Sequence, residues 1–350
     1  MIVYIGLFVV LSILAAIEIL FQKKKISYIT AIILAIFAGF RFYTGFDFLS
    51  YGVFYTKLNS IKDVFNGSID AEKGYLLLTF IFKTIGLNYP TFLLFFAFLS
   101  IGLLFNFIYR NIPYPSLVLL YYFARFYLPR DMGQIRGSIA SIILLYAIPY
   151  IKKKDFSKFL LIVFIASLFH VSSLIFILGY VFVVYLPKFS QKWSLYFLSG
   201  GLLIGLISQI PELYLWIVPA RYAAYFTGVG YVGGDWLMNP VLWMQLLIFF
   251  GALLFTEIKD DTHYRTYFFL YFLSSFILMA SGNLATIGGR LSAPFTTQEI
   301  FVAPYLLLNF TRNKLLNICL FFGFTAIIFI LIFILSGIYV EFIPYQTIFN

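Results

Sequence analysis

The chain has 350 residues, of which 62% are hydrophobic and 11% charged, against about a quarter charged in a soluble domain, so a soluble globular protein is excluded. The net charge of +10 is scattered over short loops rather than gathered on one face, which argues against nucleic acid as a partner. One Cys, Cys319, and two His exclude an intrachain disulfide, a thiolate cluster and a multi-histidine centre, so neither a metal nor a cofactor is expected.

The first apolar run, residues 2–21, lacks a basic leader and a small-residue cleavage site and is followed by Lys23, Lys24 and Lys25. It reads as a first span rather than a cleaved signal. Further runs lie near 27–41, 90–109, 115–129, 135–151, 157–169, 171–186, 193–210, 240–257, 264–281, 297–310 and 315–336, lengths that suit helices crossing a core of about 30 Å. The ten-residue alternation of a barrel is missing. The expected fold is all-α: one polytopic transmembrane bundle over residues 1–350, with about 11–14 helices. Lysines and arginines at 23–25, 152–158, 188–192, 259–265 and 312–314 mark the cytoplasmic side. That threading leaves both termini outside. It makes 42–89 an extracytoplasmic loop carrying an amphipathic or re-entrant helix at 73–87, and 211–239 a second one, Gly-rich and a candidate lid.

The charges not needed for topology collect at the outer face. "YYFARFYLPRDMGQIRGSIA" carries Arg125, Arg130, Asp131 and Arg136. One local carboxylate cannot neutralise three arginines, and a charge at membrane depth needs a partner, an interior or a ligand. Arginine's rigid donor fork suits phosphate oxygens, although Arg130 can equally snorkel to headgroups. Arg41, six residues before Asp47 across Gly45, is either a loop clasp or a phosphate holder beside a carboxylate that engages a sugar hydroxyl or acts as base. Arg290 follows Gly288 and Gly289, and Arg221 resembles it, with Glu212 as a candidate partner. His170 sits at a bend in "ASLFHVSS", where it either caps the turn or accepts a proton. Asp235, near Tyr231 and Trp236, is a turn residue or a sugar contact, and Asp47 and Asp235 compete for the role of base.

Five stretches together resemble the EpsG-type polysaccharide polymerases, relatives of the Wzy O-antigen and capsule polymerases. They are "FRFYTGFDFLSY" at 40–51, "KGYLLLTFIFKTIG" at 73–86, "RDMGQIRGSIA" at 130–140, "ASLFHVSSLI" at 166–175 and "GGRLSAPF" at 288–295. The resemblance carries over Arg41, Asp47, Gln134, Arg136, His170 and Arg290. It implies a GT-C-like membrane glycosyltransferase in the bacterial plasma membrane with its site facing outward. Such an enzyme moves a growing glycan from undecaprenyl diphosphate onto the nonreducing end of another lipid-linked repeat, alongside a flippase and a chain-length regulator of the same pathway. On this reading Asp47, His170 and Asp235 are the catalytic candidates. Arg41, Arg125, Arg130, Arg136 and Arg290 hold the diphosphate, and Asp131, Gln134, Arg221, Tyr231 and Trp236 contact substrate, without a metal. A lipid-linked oligosaccharide flippase and a glycan ligase using the same donor are the alternatives. The flippase would need charges along a path to both leaflets.

Overall fold

The structure, a computed structural model, describes residues 1–185, 191–219, 223–228, 232–233, 236–256 and 263–349. In chain order it runs through α1 (Ile2–Phe21), α2 (Ile26–Gly39), β1 (Arg41–Phe42), α3 (Phe48–Lys57), α4 (Ile61–Phe65), α5 (Lys73–Thr84), α6 (Tyr89–Asn111), α7 (Pro115–Tyr122), α8 (Leu128–Asp131), α9 (Ile135–Leu145), α10 (Ile148–Lys152) and α11 (Phe156–Ser167). It continues through α12 (Ile177–Tyr185), α13 (Gln191–Ile207), α14 (Ala224–Thr227), α15 (Pro240–Phe255), α16 (His263–Ser281), α17 (Ala285–Thr296), α18 (Glu299–Leu308), α19 (Lys314–Phe329) and β2 (Gln346–Thr347).

Among the described residues, four helical stretches are long and apolar enough to cross a membrane: Ile2–Phe21, Tyr89–Asn111, Ile135–Lys152 and Lys314–Leu335. They fall where the apolar runs of the sequence place spans. Shorter apolar helices, among them Ile26–Gly39, Phe156–Ser167, Pro240–Phe255 and Glu299–Leu308, occupy other expected positions. The chain is therefore a helical, polytopic membrane protein. Four helices stand where the sequence offered only loop: α3 and α4 within 42–72, α14 within 211–239, and α17 ahead of residue 297. Each is short and mixed in polarity, so it gives no long apolar run. Packing against neighbours, rather than hydropathy, holds such helices.

The chain divides into two compact units. The first comprises Met1–Tyr146, Phe164–Val171 and Asn313–Asn350. Its helix ends follow local rules. The Asn88 side chain accepts from the Thr91 N–H at 3.0 Å with Pro90 just inside α6, and Asn313 accepts from Leu315 and Leu316 at the start of α19, both ordinary N-caps. Between α7 and α8 the helix widens into a π-turn over Phe123–Tyr127. Pro129 cannot donate to the Arg125 carbonyl four residues earlier, and its ring crowds that carbonyl, so the turn opens there. An aromatic core of Phe48, Tyr51, Tyr55, Tyr75, Phe92 and Phe96 joins α3, α5 and α6, with Ile135 and Ile139 of α9 packed into it. β1 and β2 pair antiparallel, Arg41 opposite Thr347.

The second unit comprises Ala147–Val163 and Ser172–Arg312. α16 runs through its middle with Phe268, Leu270, Tyr271 and Phe272 fully buried and packs on α12, α13, α15, α17 and α18. Small residues set the close approaches. A Cβ on Gly205 of α13 would lie 2.4 Å from the Met279 carbonyl oxygen, and one on Gly288 of α17 would lie 2.7 Å from the Ser281 Cβ. Ser274 and Thr296 share a buried hydrogen bond of 2.5 Å, which satisfies two hydroxyls that would be costly alone.

Candidate functional site

Three pieces of the first unit converge at one point: the residue before α5, the first turn of α9, and the turn at 168–171. Gly74 makes the first approach possible. Its N–H donates to the Leu168 carbonyl at 2.8 Å, and a Cβ there would lie 2.7 Å from both the Leu168 Cβ and its carbonyl oxygen. Gly137 leaves room on the opposite side, since a Cβ on it would reach only to 3.6 Å from His170 Cδ2.

Glu72 occupies the N-cap position of α5, yet its side chain does not cap that helix. The carboxylate reaches across instead. One oxygen, Oε2, accepts from Arg136 Nη1 in an ion pair. The other, Oε1, lies 2.9 Å from His170 Nδ1 and 3.3 Å from the Val171 N–H. Burial by itself would raise the Glu72 carboxyl, but the hydrogen bond with His170 and the charge of Arg136 outweigh it and hold the group below its ordinary value, so it is ionised at neutral pH. An ionised carboxylate only accepts, so the proton of a neutral His170 sits on Nδ1 and Nε2 keeps its lone pair.

Arg136 is boxed by the rings of Tyr51, Phe54 and Tyr75, with its guanidinium carbon 5.7, 5.5 and 5.8 Å from their centroids. Such cation–π contacts fix the group at low cost. Its Nε is buried without a hydrogen-bond partner. The cluster still meets solvent: the side chains of Glu72, Arg136 and His170 are 17%, 21% and 27% exposed. A dyad of carboxylate and imidazole beside a guanidinium can take a proton at Nε2 and place positive charge near an anion.

The same unit holds most of the other residues singled out in the sequence. Arg41 is 1% exposed. Its Nη1 donates to the Ala38 carbonyl at 2.5 Å, while Nε and Nη2 are buried without partners. The void beside it, lined by Ser100, Asp131 and Ile135 among others, is too narrow to admit a water molecule. Asp131 is buried and accepts from the hydroxyls of Ser100 at 2.5 Å, Ser138 at 2.9 Å and Tyr122 at 2.5 Å, a set that ties α6, α7, α8 and α9 together. Arg125 and Arg130 both stack on the Phe126 ring, at 4.8 and 4.3 Å. Asp47 precedes α3 as its N-cap residue, and Gln134 is exposed at the start of α9.

Arg290 and Trp236 belong to the second unit. Arg290 is exposed, donates to the Tyr225 hydroxyl at 3.2 Å and lies over that ring at 5.2 Å. Trp236 is buried, packed where a Cβ on Gly205 would come within 3.0 Å of its ring. Arg221, Tyr231 and Asp235 lie outside the described residues.

Along the sequence the carboxylate near Arg136 is Asp131, which the fold commits to three hydroxyls. The fold supplies Glu72, 64 residues upstream. Glu72 directly precedes the "KGYLLL" stretch, and that adjacency was the only local signal for it. Among the described residues no three His, Cys, Asp or Glu side chains gather into a group able to hold a metal ion.

Apolar helices enclosing a half-buried Glu–Arg–His cluster define a multi-pass membrane protein with a polar centre built for chemistry or binding. The family follows from comparison: residues 24–347 match the model of the EpsG family, and the chain belongs to it, a family of Wzy-like polysaccharide polymerases of the inner membrane. No curated protein and no solved structure matches the chain.

Proposed function

We propose that this polymerase extends a glycan held on undecaprenyl diphosphate by transferring it to the nonreducing end of another lipid-linked repeat, at the outer face of the membrane. The Glu72–His170 pair is the proton acceptor. The acceptor hydroxyl gives its proton to His170 Nε2 while its oxygen bonds to the anomeric carbon of the donor. The bond from that carbon to the diphosphate oxygen breaks, and its electron pair leaves with the lipid diphosphate. Glu72 fixes the imidazole tautomer and offsets the charge that develops on the ring. Arg136, on the same carboxylate, faces the developing negative charge of the leaving group.

The observation that carries this reading is the 2.9 Å contact of His170 Nδ1 with Glu72, which leaves Nε2 as the acceptor, next to a guanidinium on the same carboxylate. The reading is metal-free. The test is incubation of the purified protein with undecaprenyl-diphosphate oligosaccharide from the strain that makes it, with and without EDTA. A ladder of products in both is expected, and its loss in the His170→Ala variant. A ladder undiminished in that variant would overturn the assignment of the base, and a ladder abolished by EDTA and restored by a divalent ion would overturn the metal-free step. A single transfer onto a non-lipid acceptor, with no ladder, would make the protein a ligase.

A further inference from the structure

A second cavity in the first unit is not accounted for by the Glu72 cluster. It measures about 270 Å³ and is lined by Tyr43, Gly45 and Phe46 on one wall and by Glu341 and Gln346 on the other. The walls come from distant parts of the sequence but are firmly joined. β1 pairs with β2, the Gly45 N–H donates to the Glu341 carbonyl at 2.9 Å, the Gln346 N–H donates to Thr44 Oγ1 at 3.3 Å, and the Ile348 N–H donates to the Phe40 carbonyl at 3.2 Å. The hollow is built by these ties rather than left by a loose loop.

Its chemistry is distinctive. Tyr43 is 61% exposed although it is held at φ +47, a left-handed conformation that bulky side chains rarely adopt and that tends to persist at working sites. Phe46 is 41% exposed beside it. The opposite wall carries Glu341 and Gln346, both exposed, which bring a carboxylate and an amide to that side. Aromatic faces pack against the C–H face of a sugar ring, while a carboxylate and an amide take its hydroxyls. No Lys or Arg is among the lining residues, and a lone carboxylate repels phosphate and acidic sugars alike. A volume near the lower end of ordinary ligand pockets, which start at about 300 Å³, fits one or two sugar rings.

The wall also bears on the catalytic cluster through the backbone. Gly45, at φ +99, lies where a Cβ would be 2.0 Å from the Met132 carbonyl oxygen, and Phe46 packs against Gly133, whose Cβ would be 2.9 Å from its ring. Residues 131–134 lead directly into the turn of α9 that presents Arg136.

We infer that this cavity is a subsite for an uncharged sugar of the lipid-linked glycan, with Tyr43 and Phe46 as the stacking platform and Glu341 and Gln346 as hydroxyl partners. The inference rests on the polymerase reading above for the identity of the glycan, but its test is direct binding. The purified full-length protein is titrated with the oligosaccharides released by mild acid from the lipid-carrier fraction of the strain that makes it, and separately with inorganic diphosphate. Wild type is expected to bind the oligosaccharide, with no competition from diphosphate. Tyr43→Asn removes the ring but suits the left-handed backbone, and Glu341→Gln leaves the carbonyl that Gly45 uses; each is expected to weaken binding tenfold or more. Absence of oligosaccharide binding by wild type, equal binding by both subsite variants, or displacement by diphosphate would overturn the subsite. The two readings fail separately: normal binding by the subsite variants with chain extension lost in His170→Ala removes only the subsite, and weakened binding with no ladder from wild type removes only the polymerase chemistry.

Discussion

Replacing Glu72 by Gln keeps the shape of the side chain and removes its charge. An amide oxygen that keeps the hydrogen bond from Arg136 turns the NH2 to His170, where it donates to Nδ1. That would move the ring proton to Nε2, the atom proposed to accept the substrate proton. The expected loss in chain extension is the value of a positioned base, roughly 10²- to 10⁴-fold, or about 3–5 kcal/mol on the barrier. Stability changes less. One charge-assisted hydrogen bond is worth about 1.5–3 kcal/mol, and the lower end applies because Glu72 and Arg136 both keep some contact with solvent. The assay is the product ladder from lipid-linked oligosaccharide, with thermal unfolding measured in parallel. The Glu72 carboxyl is depressed in the fold, so its contribution to stability is fully present above its ordinary 4.5 and is lost as pH falls below that through the folded value. Wild type should therefore lose unfolding temperature over that acid range relative to Glu72→Gln. A variant that extends chains at the wild-type rate would refute the dyad, and parallel acid profiles for the two proteins would refute the ion pair.

Gly74→Ala puts a methyl 2.7 Å from the Leu168 carbonyl oxygen, so α5 must move away from the 168–171 turn; chain extension should fall by tenfold or more, read from the same ladder, and unchanged extension would mean that the Glu72–His170 spacing is not limiting. Arg41→Met removes a buried charge with two partnerless nitrogens and keeps most of the volume. Its unfolding temperature should match or exceed that of wild type, because replacing buried charge by apolar packing is often neutral or stabilising by about 1–4 kcal/mol; a large drop in unfolding temperature would make Arg41 a structural clasp instead. Arg290→Ala alters an exposed side chain whose hydrogen bond goes to the Tyr225 hydroxyl, so stability should stay within about 0.5 kcal/mol by thermal unfolding; a larger loss would mean that this contact holds the fold.

What the sequence made legible followed from range. Long apolar runs are local, and α1, α6 and α19 stand where those runs predict them. α3, α4 and α17 are short, rich in polar or small residues and supported by packing, so no window of hydropathy could show them. The site obeyed the same division. His170 and Arg136 were identifiable as residue types in unusual apolar settings. Their shared partner was not, because Glu72 lies 64 and 98 residues from them and looks like an ordinary charge at the start of an amphipathic helix. Asp131, the carboxylate that proximity suggested for the arginines, is occupied by three hydroxyls, which charge counting along the chain cannot reveal.

That rearrangement changes what the electrostatics can do. An uncompensated arginine beside the membrane would bind any phosphate, including the headgroups that surround it in excess. Arg136 paired with Glu72 presents little net charge to a passing headgroup, and its aromatic box keeps the guanidinium in place. In the proposed transfer, negative charge that builds up during the reaction is a stronger partner than a resting headgroup, and the guanidinium would share itself between Glu72 and the departing diphosphate as that charge appears. Stabilisation realised late in the reaction raises turnover, whereas tight binding of the resting lipid would only slow release. The pairing of Arg136 with a carboxylate therefore suits the proposed transfer from a lipid diphosphate amid phospholipid headgroups better than a bare cluster of arginines would.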